Sequence, residues 1–343
     1  MDSRSPVTLA DIAEAAQVSV GTVSRVLNGR EGSIKISQAT KARVMEAAQR
    51  LGYQPNPFAT ALRTQRTGVL GVIIRDMGDP FLSELARALQ QAAHKQGFEL
   101  LIGHADYDPQ TAQRQLTFML NHWFDGLLLL GNIPGDSTLL AMVKQSRTPC
   151  VAVASGSETS VPLVALDEVR GASLSLEYLY QLGHRRIAFI GNVEHAGVSE
   201  RLATFRQFVH HQGLEWHDGY EQRYSRTPHG DATMRIRLLL SLPSPPTAIF
   251  CASDVLALRA MSIAWQLGLH LPDQLSIVGF DDIEQAAESV PPLTTIRQPV
   301  SLMAQEAVSM LRELIDGSPK DVRECRRIVQ PELIVRASCS PVL

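Results

Sequence analysis

The chain has 343 residues, with 32 Lys and Arg against 35 Asp and Glu and a formal net charge of −3. That length is more than one compact domain needs. The four cysteines (Cys150, Cys251, Cys325, Cys339) form no C-x-x-C pair, so neither a zinc site nor a redox motif is indicated, and no apolar run reaches the length of a transmembrane helix. Widely spaced thiols, and an N-terminus with no apolar h-region, lead to the expectation of a reducing cytoplasm, with no membrane, metal or cofactor.

The near-neutral total hides an asymmetry. Residues 1–66 hold nine basic and five acidic residues, the remainder 23 basic and 30 acidic. A basic head on an acidic body fits nucleic-acid binding by the head alone.

Thr8 to Asn28 reads TLADIAEAAQVSVGTVSRVLN. Thr8 and Asp11 have the spacing of a capping box, and Leu9, Ile12, Ala13 and Ala16 recur at helical period. Gln17-Val18-Ser19 is a tight break in which Ser19 caps a second helix from about Val20 to Asn28. Val23, Val26 and Leu27 face inward there, leaving Val20, Gly21, Thr22, Ser24, Arg25 and Asn28 outward. A third helix is capped by Ser37, filled by Ala39–Leu51 and stopped by Gly52. This is the form of a DNA-reading helix-turn-helix, whose second helix presents its N-terminal residues to the major groove. Arg25 has the donors for guanine O6 and N7. Thr22, Ser24 and Asn28 suit phosphate oxygens, which set register without reading sequence. A small helical bundle with a solvated polar face is the alternative from pattern alone.

Pro55-Asn56-Pro57 then precedes a segment of about two turns, with Asn56 as N-cap and Pro57 at the first helical position. So short a helix is not stable alone in water.

From about Gly68 short apolar runs alternate with helical patterns. Strands are expected at Val69–Ile74, Glu99–Gly103, Leu127–Leu130, Cys150–Ala154, Ile187–Ile190, Ala248–Cys251 and Ser276–Gly279. Helices are expected at Phe81–Lys95, Thr111–Trp123, Glu168–Leu182, Ser199–His211 and Asp254–Leu267. The alternation argues parallel sheets covered on both faces, in two α/β subdomains. Ligands in such sheets sit beyond the carboxyl ends of strands, where Asp76, Asn192 to His195, Ser253-Asp254 and Asp281-Asp282 fall.

VSVGTVSRVLNG followed by LGYQPNPFATALR resembles the DNA-binding head and hinge of the lactose/galactose repressor family of bacterial transcription regulators. The resemblance runs over nearly the whole chain. It continues in order through GVLGVIIRDMGDPFLSELARAL, FDGLLLLG, LGHRRIAFIG, SERLATF, AIFCASDVLALRAM, LPDQLSIVGFDD and VPPLTTIRQP. It implies a small all-α helix-turn-helix head (1–54), a hinge helix and linker (55–67), and a periplasmic-binding-protein-like body (68–343) of two doubly wound parallel-sheet subdomains. Those subdomains would be about 68–166 with 294–324, and 167–293 with 325–340, joined by crossovers near Leu166, Pro292 and Cys325.

The resemblance also implies site residues. DNA contacts would come from Thr8, Ser19, Val20, Gly21, Thr22, Ser24, Arg25, Asn28, Tyr53, Asn56, Ala59 and Leu62, with Leu62 as a minor-groove wedge at the operator centre. Effector contacts would come from Phe81, Leu82, His195, Gly197, Arg201, Ser253 and Asp281. Arg201 and Asp281 would meet hydroxyls or a carboxylate. As alternatives, Arg201 is a structural ion pair, and Asp254, Asp281 and Asp282 are helix N-caps.

Three departures stand out. The loop Gly29–Ile36 is longer than the family usually has. It either adds phosphate contacts through Arg30 and Lys35 or is a tolerated surface insertion. Gly21 replaces a side chain that often reads bases, which shifts readout to Val20, against a thymine methyl, and Arg25. Ser253 stands where asparagine is common, so effector identity does not transfer.

No G-x-S-x-G, P-loop, H-E-x-x-H or strand-borne G-x-G-x-x-G is present, and no enzymatic activity is expected. The expectation is a homodimeric repressor-type regulator on a near-palindromic DNA operator, cytoplasmic and nucleoid-associated, answering to a small sugar or sugar derivative. The absence of a heptad-patterned leucine tail argues a dimer against a tetramer. The competing reading is a solute-binding or carbohydrate-processing protein with an incidental basic head.

Overall fold

The computed structural model describes residues 7–27, 36–53, 66–122, 124–133, 136–154, 160–193, 195–224, 230–317 and 325–342. Two compact units divide the chain, Met1–Thr67 and Gly68–Leu343.

The first unit holds α1 (Leu9–Ala16), α2 (Val20–Leu27) and α3 (Gln38–Leu51). The capping box at the start of α1 is formed. Asp11 Oδ2 accepts the Thr8 N–H at 2.7 Å, and Thr8 Oγ1 accepts the Asp11 N–H at 3.4 Å. The Thr8 N–H, and the Thr8 hydroxyl that donates to the same Oδ2 at 2.8 Å, hold the Asp11 carboxyl below its usual range. Gln17 ends α1 in the left-handed region, at φ 51°, and so reverses the chain within three residues. Ser19 Oγ accepts the Thr22 N–H at 3.1 Å and starts α2. Ser37 caps α3, and Gly52, at φ 67°, ends it. Ile12, Ala13, Ala16, Val23, Val44, Ala47 and Ala48 form the core, with Val26 and Leu27 partly buried against it.

In the second unit, six parallel strands lie in the order β11-β5-β4-β3-β1-β2. They are β1 (Val69–Ile74), β2 (Glu99–His104), β3 (Gly126–Leu130), β4 (Cys150–Val153), β5 (Leu163–Leu166) and β11 (Arg326–Val329). A second parallel sheet has the order β7-β6-β8-β9, from β6 (Ile187–Asn192), β7 (Glu221–Tyr224), β8 (Ala248–Cys251) and β9 (Ser276–Val278). The helices are α4 (Pro80–Lys95), α5 (Pro109–Asn121), α6 (Asp136–Ser146), α7 (Glu168–Gln181), α8 (Ala196–Gln212), α9 (Gly230–Leu240), α10 (Asp254–Gln266), α11 (Glu284–Glu288) and α12 (Val300–Ile315). Inner strands such as β3, β4, β6 and β8 are buried throughout, as a sheet covered on both faces requires. Among the described residues no helix is long and apolar enough to cross a membrane.

Two of the expected crossover positions need correction. β10 (Thr295–Arg297) pairs antiparallel with β12 (Glu332–Ile334), and bridges from Val278 to Thr294 and from Asp281 to Arg297 tie it to the second subdomain. Ile296 is buried with Phe250 and Phe280 in that subdomain's core. The chain therefore crosses after Arg297, and α12 then packs on α4 and over β3, β4 and β5. Residues 325–329, expected in the second subdomain, belong to the first. Arg326–Val329 pairs with Leu163–Leu166 at the edge of the first sheet, so the last crossing follows Val329. Arg327 reaches Glu306 at 2.6 Å and Glu313 at 2.8 Å from this edge. A strand this polar carries no apolar alternation to mark it.

Candidate effector site and nucleic-acid interface

Between the two sheets of the second unit, the carboxyl ends of strands from both surround a cavity of about 610 Å³. All seven residues expected at the effector site (Phe81, Leu82, His195, Gly197, Arg201, Ser253 and Asp281) line it. Arg75, Asp79, Tyr107, Glu168, Asn192 and Gln298 line it as well.

Arg75 follows β1 directly. Its Nη2 donates to Asp79 Oδ2 at 2.8 Å, and Asp79 Oδ1 caps α4 by accepting the N–H groups of Phe81 and Leu82 at 3.0 and 3.3 Å. The guanidinium also lies 5.5 Å from the centroid of the Tyr107 ring. Tyr107 sits in a tight turn after β2, where it and Asp106 take the left-handed conformation at φ 56° and 48°. Its ring stacks with that of His195 from the other subdomain, 6.1 Å away and 17° from parallel.

His195 holds the N-cap position of α8 without a side-chain cap bond. Burial, and then the charges of Arg75 and Arg201, push its pKa down to about 3, so the ring is neutral at physiological pH. Its Nε2 and the Nε of Arg75 are buried without a hydrogen-bond partner. Buried polar atoms without partners are uncommon and invite a ligand or water.

Arg201 is buried on α8. Its Nε donates to Glu168 Oε2 at 2.7 Å and its Nη1 to the Ala252 carbonyl at 2.5 Å, while its guanidinium lies 3.4 Å from the centre of the Phe280 ring. The structural ion pair weighed from sequence is thus present, within the wall of the cavity. Gly197 leaves room for the carboxylate, because a Cβ there would come within 2.6 Å of Glu168 Oε1 and push it aside.

Ser253 caps α10 by accepting the Leu256 N–H at 3.3 Å and also lines the cavity. Asp281 accepts from Gln298 Nε2 at 2.7 Å. Burial raises its carboxyl pKa well above the usual range; Arg201 opposes this, and the charges of Asp254 and Asp79 reinforce it. None of the three aspartates weighed as caps fills that role. Ile283 holds the N-cap position of α11, and Asp254 is the first residue of α10, behind its cap. Asp282 instead binds Arg297 at 2.7 Å and Arg336 at 2.5 Å. Beside the cavity, Asp76, His104 and Asp106 bring ligand-capable atoms within 4.8 Å of one another, but Asp106 is exposed and the other two only half-buried.

On the head, Ser19, Val20, Gly21 and Arg25 are exposed along the start and outer face of α2, with Thr22 and Ser24 half-buried. Val20 is an apolar side chain left 47% exposed, as a groove-facing methyl contact requires. Thr8 is exposed at its cap, and Tyr53 packs partly buried against the head core. Asn28, Asn56, Ala59 and Leu62, with most of the Gly29–Ile36 loop, lie outside the described residues.

A helix-turn-helix head joined to a two-subdomain body with a polar cleft defines a ligand-responsive, sequence-specific DNA-binding transcription regulator. Residues 8–56 match the model of bacterial regulatory proteins of the lacI family, and residues 176–339 that of a periplasmic binding protein-like domain. The transcriptional repressor CytR of Escherichia coli (strain K12) is 35% identical over 340 residues, 96% of each chain. The regulator DegA of Bacillus subtilis (strain 168) is 32% identical over 342 residues, 98% of each. The lac repressor dimer bound to operator and the anti-inducer ONPF superposes with a TM-score of 0.86 at 25% identity, covering 98% of this chain and 100% of that one. The complex of the regulator CelR with cellobiose gives 0.72 at 27%, covering 97% and 99%. The chain belongs to the lacI family of bacterial regulatory proteins.

Proposed function

We propose that the chain acts as a homodimeric repressor on a near-palindromic operator, and that its cleft takes a neutral sugar or sugar derivative. The observation that carries the ligand class is the pairing of charge around the cavity. Arg75 is matched by Asp79 and Arg201 by Glu168, so an anionic ligand would meet guanidinium groups whose charge is already balanced within the wall. Polar atoms without partners, Arg75 Nε and His195 Nε2, suit uncharged oxygens. The relatives named as repressors, and the cellobiose held by CelR, support the same reading. On the DNA side, Arg25 and Val20 read bases, while Ser19, Thr22, Ser24 and Asn28 meet phosphates. Thr8 and Tyr53 hold the head's geometry near the backbone, and Asn56, Ala59 and Leu62 act from the hinge in the minor groove.

The protein works by binding and not by turnover. A ligand that prefers one cleft arrangement shifts DNA affinity by the same coupling energy, typically about 1–3 kcal/mol. A thermal-shift screen of sugars, sugar phosphates and nucleosides tests the ligand class, because saturation at 100 Kd raises stability by about 2.7 kcal/mol. Neutral sugars or nucleosides should raise Tm. A shift with sugar phosphates alone would overturn the reading.

A further inference from the structure

Asp254 is fully buried and does not itself line the cavity. All of its polar contacts on view go to the turn that carries Asp281 and to the strand beside it. Its backbone N–H donates to the Phe280 carbonyl at 2.7 Å. Its Oδ2 accepts the Ile283 N–H at 2.9 Å, and its Oδ1 accepts the Thr295 hydroxyl at 2.5 Å. Gly279 lies so close that a methyl group in its place would overlap the Asp254 carboxylate.

The turn needs such a hold. Asp281 and Asp282 both lie at positive φ, 124° and 59°, a region that side-chain-bearing residues enter only where the surroundings impose it. The two aspartates diverge. Asp281 lines the cavity against Gln298, and Asp282 binds Arg297 and Arg336. The outer arm is thus held by ion pairs. The inner side, at Phe280 and Ile283, is held by Asp254.

We infer that Asp254 is the positioning residue for Asp281: it clamps the strained 280–283 turn from beneath and so sets where the Asp281 carboxylate stands in the cleft. The inference rests on the cleft being the effector site. A purely apolar residue could fill the same space in the core, but it would leave the Ile283 N–H and the Thr295 hydroxyl without acceptors.

The test uses the full chain and begins without a ligand. Amide exchange is compared in wild type, Asp254→Asn and Asp254→Ala. Asn can accept from Ile283 and donate to Thr295, so it should exchange like wild type. Ala should speed exchange in peptides covering 279–285 while peptides covering 187–192 and 69–74 stay protected. Uniform loss of protection in Asp254→Ala, or no change over 279–285, would overturn the inference.

D-ribose binding by calorimetry then reads the effect on the site. Asp254→Ala should weaken it by about tenfold or more, and should add nothing in an Asp281→Asn background. Equal losses in both backgrounds would also overturn the inference. Failure of the wild type to bind D-ribose or any other neutral sugar would count against the sugar reading alone, since the exchange result decides Asp254 without it.

Discussion

Glu168 Oε2 lies 2.7 Å from Arg201 Nε, and a Cβ at position 197 would come within 2.6 Å of Oε1 of the same carboxylate, which would have to shift to make room. Both partners are largely buried, so removing one charge strands the other. Breaking a buried pair in this way costs about 3–5 kcal/mol. Glu168→Gln should therefore lower the stability of the body by an amount visible in denaturant unfolding. Gly197→Ala should displace the Glu168 carboxylate and weaken ligand binding with little effect on operator affinity. Unchanged calorimetric affinity in Gly197→Ala would show that the pair does not shape the site.

Arg25 is exposed on the helix proposed to enter the major groove. Arg25→Ala should cost about 1–3 kcal/mol of specific affinity and relax base preference at one position per half-site. Fluorescence anisotropy against a set of single-base operator variants reads both effects. An equal loss on every sequence would make Arg25 a phosphate contact.

His184 gives a pH dependence with a definite sign. Its Nε2 donates to the Ser340 carbonyl at 3.2 Å, so Nδ1 is the bare nitrogen facing the Thr247 hydroxyl at 2.9 Å. Burial lowers its pKa from 6.5 to about 4, partly offset by the Ser340 bond. The unfolded chain then binds a proton that the folded chain refuses. This stabilisation is complete above the unfolded pKa and is lost as pH falls towards the folded one. Between pH 7.5 and 5 the loss should be about 1–2 kcal/mol, and His195 adds to it in the same direction. Denaturant midpoints across that range should fall, and His184→Gln should flatten part of the slope. An equal slope in the variant would contradict this account.

Sedimentation should give a dimer at micromolar concentration. Two heads related by a twofold axis match a near-palindromic site. A stable tetramer would refute the proposed assembly.

Much of the head was legible because its signals are local. Thr8 with Asp11, Ser19, Ser37 and Gly52 each mark a helix end by their own chemistry, and each is found at one. The residues proposed for effector binding were legible by position, since they follow apolar strands whose carboxyl ends must face the cleft. Arg75 also follows such a strand and could have been found by the same rule. Tyr107 could not, because its role depends on two left-handed residues in a turn and on a ring from the other subdomain. β7 and β11 (EQRY and RRIV) lie outside the strands expected from sequence, because both are edge strands whose residues carry no apolar alternation. The assignment of Arg326–Val329 to the first sheet was beyond local reading, since its pairing partner stands over 160 residues earlier in the chain.

The most direct test of the central claim combines operator and ligand in one titration. Operator affinity of wild type and Asp281→Asn is measured by anisotropy with and without the compound that gives the largest Tm shift in the sugar and nucleoside screen. The account predicts that both proteins bind operator equally well, with a steep salt slope. It predicts that the compound changes wild-type affinity by about fivefold or more and leaves Asp281→Asn unmoved. Weak, sequence-independent DNA binding by the wild type, or an undiminished response in Asp281→Asn, would contradict it.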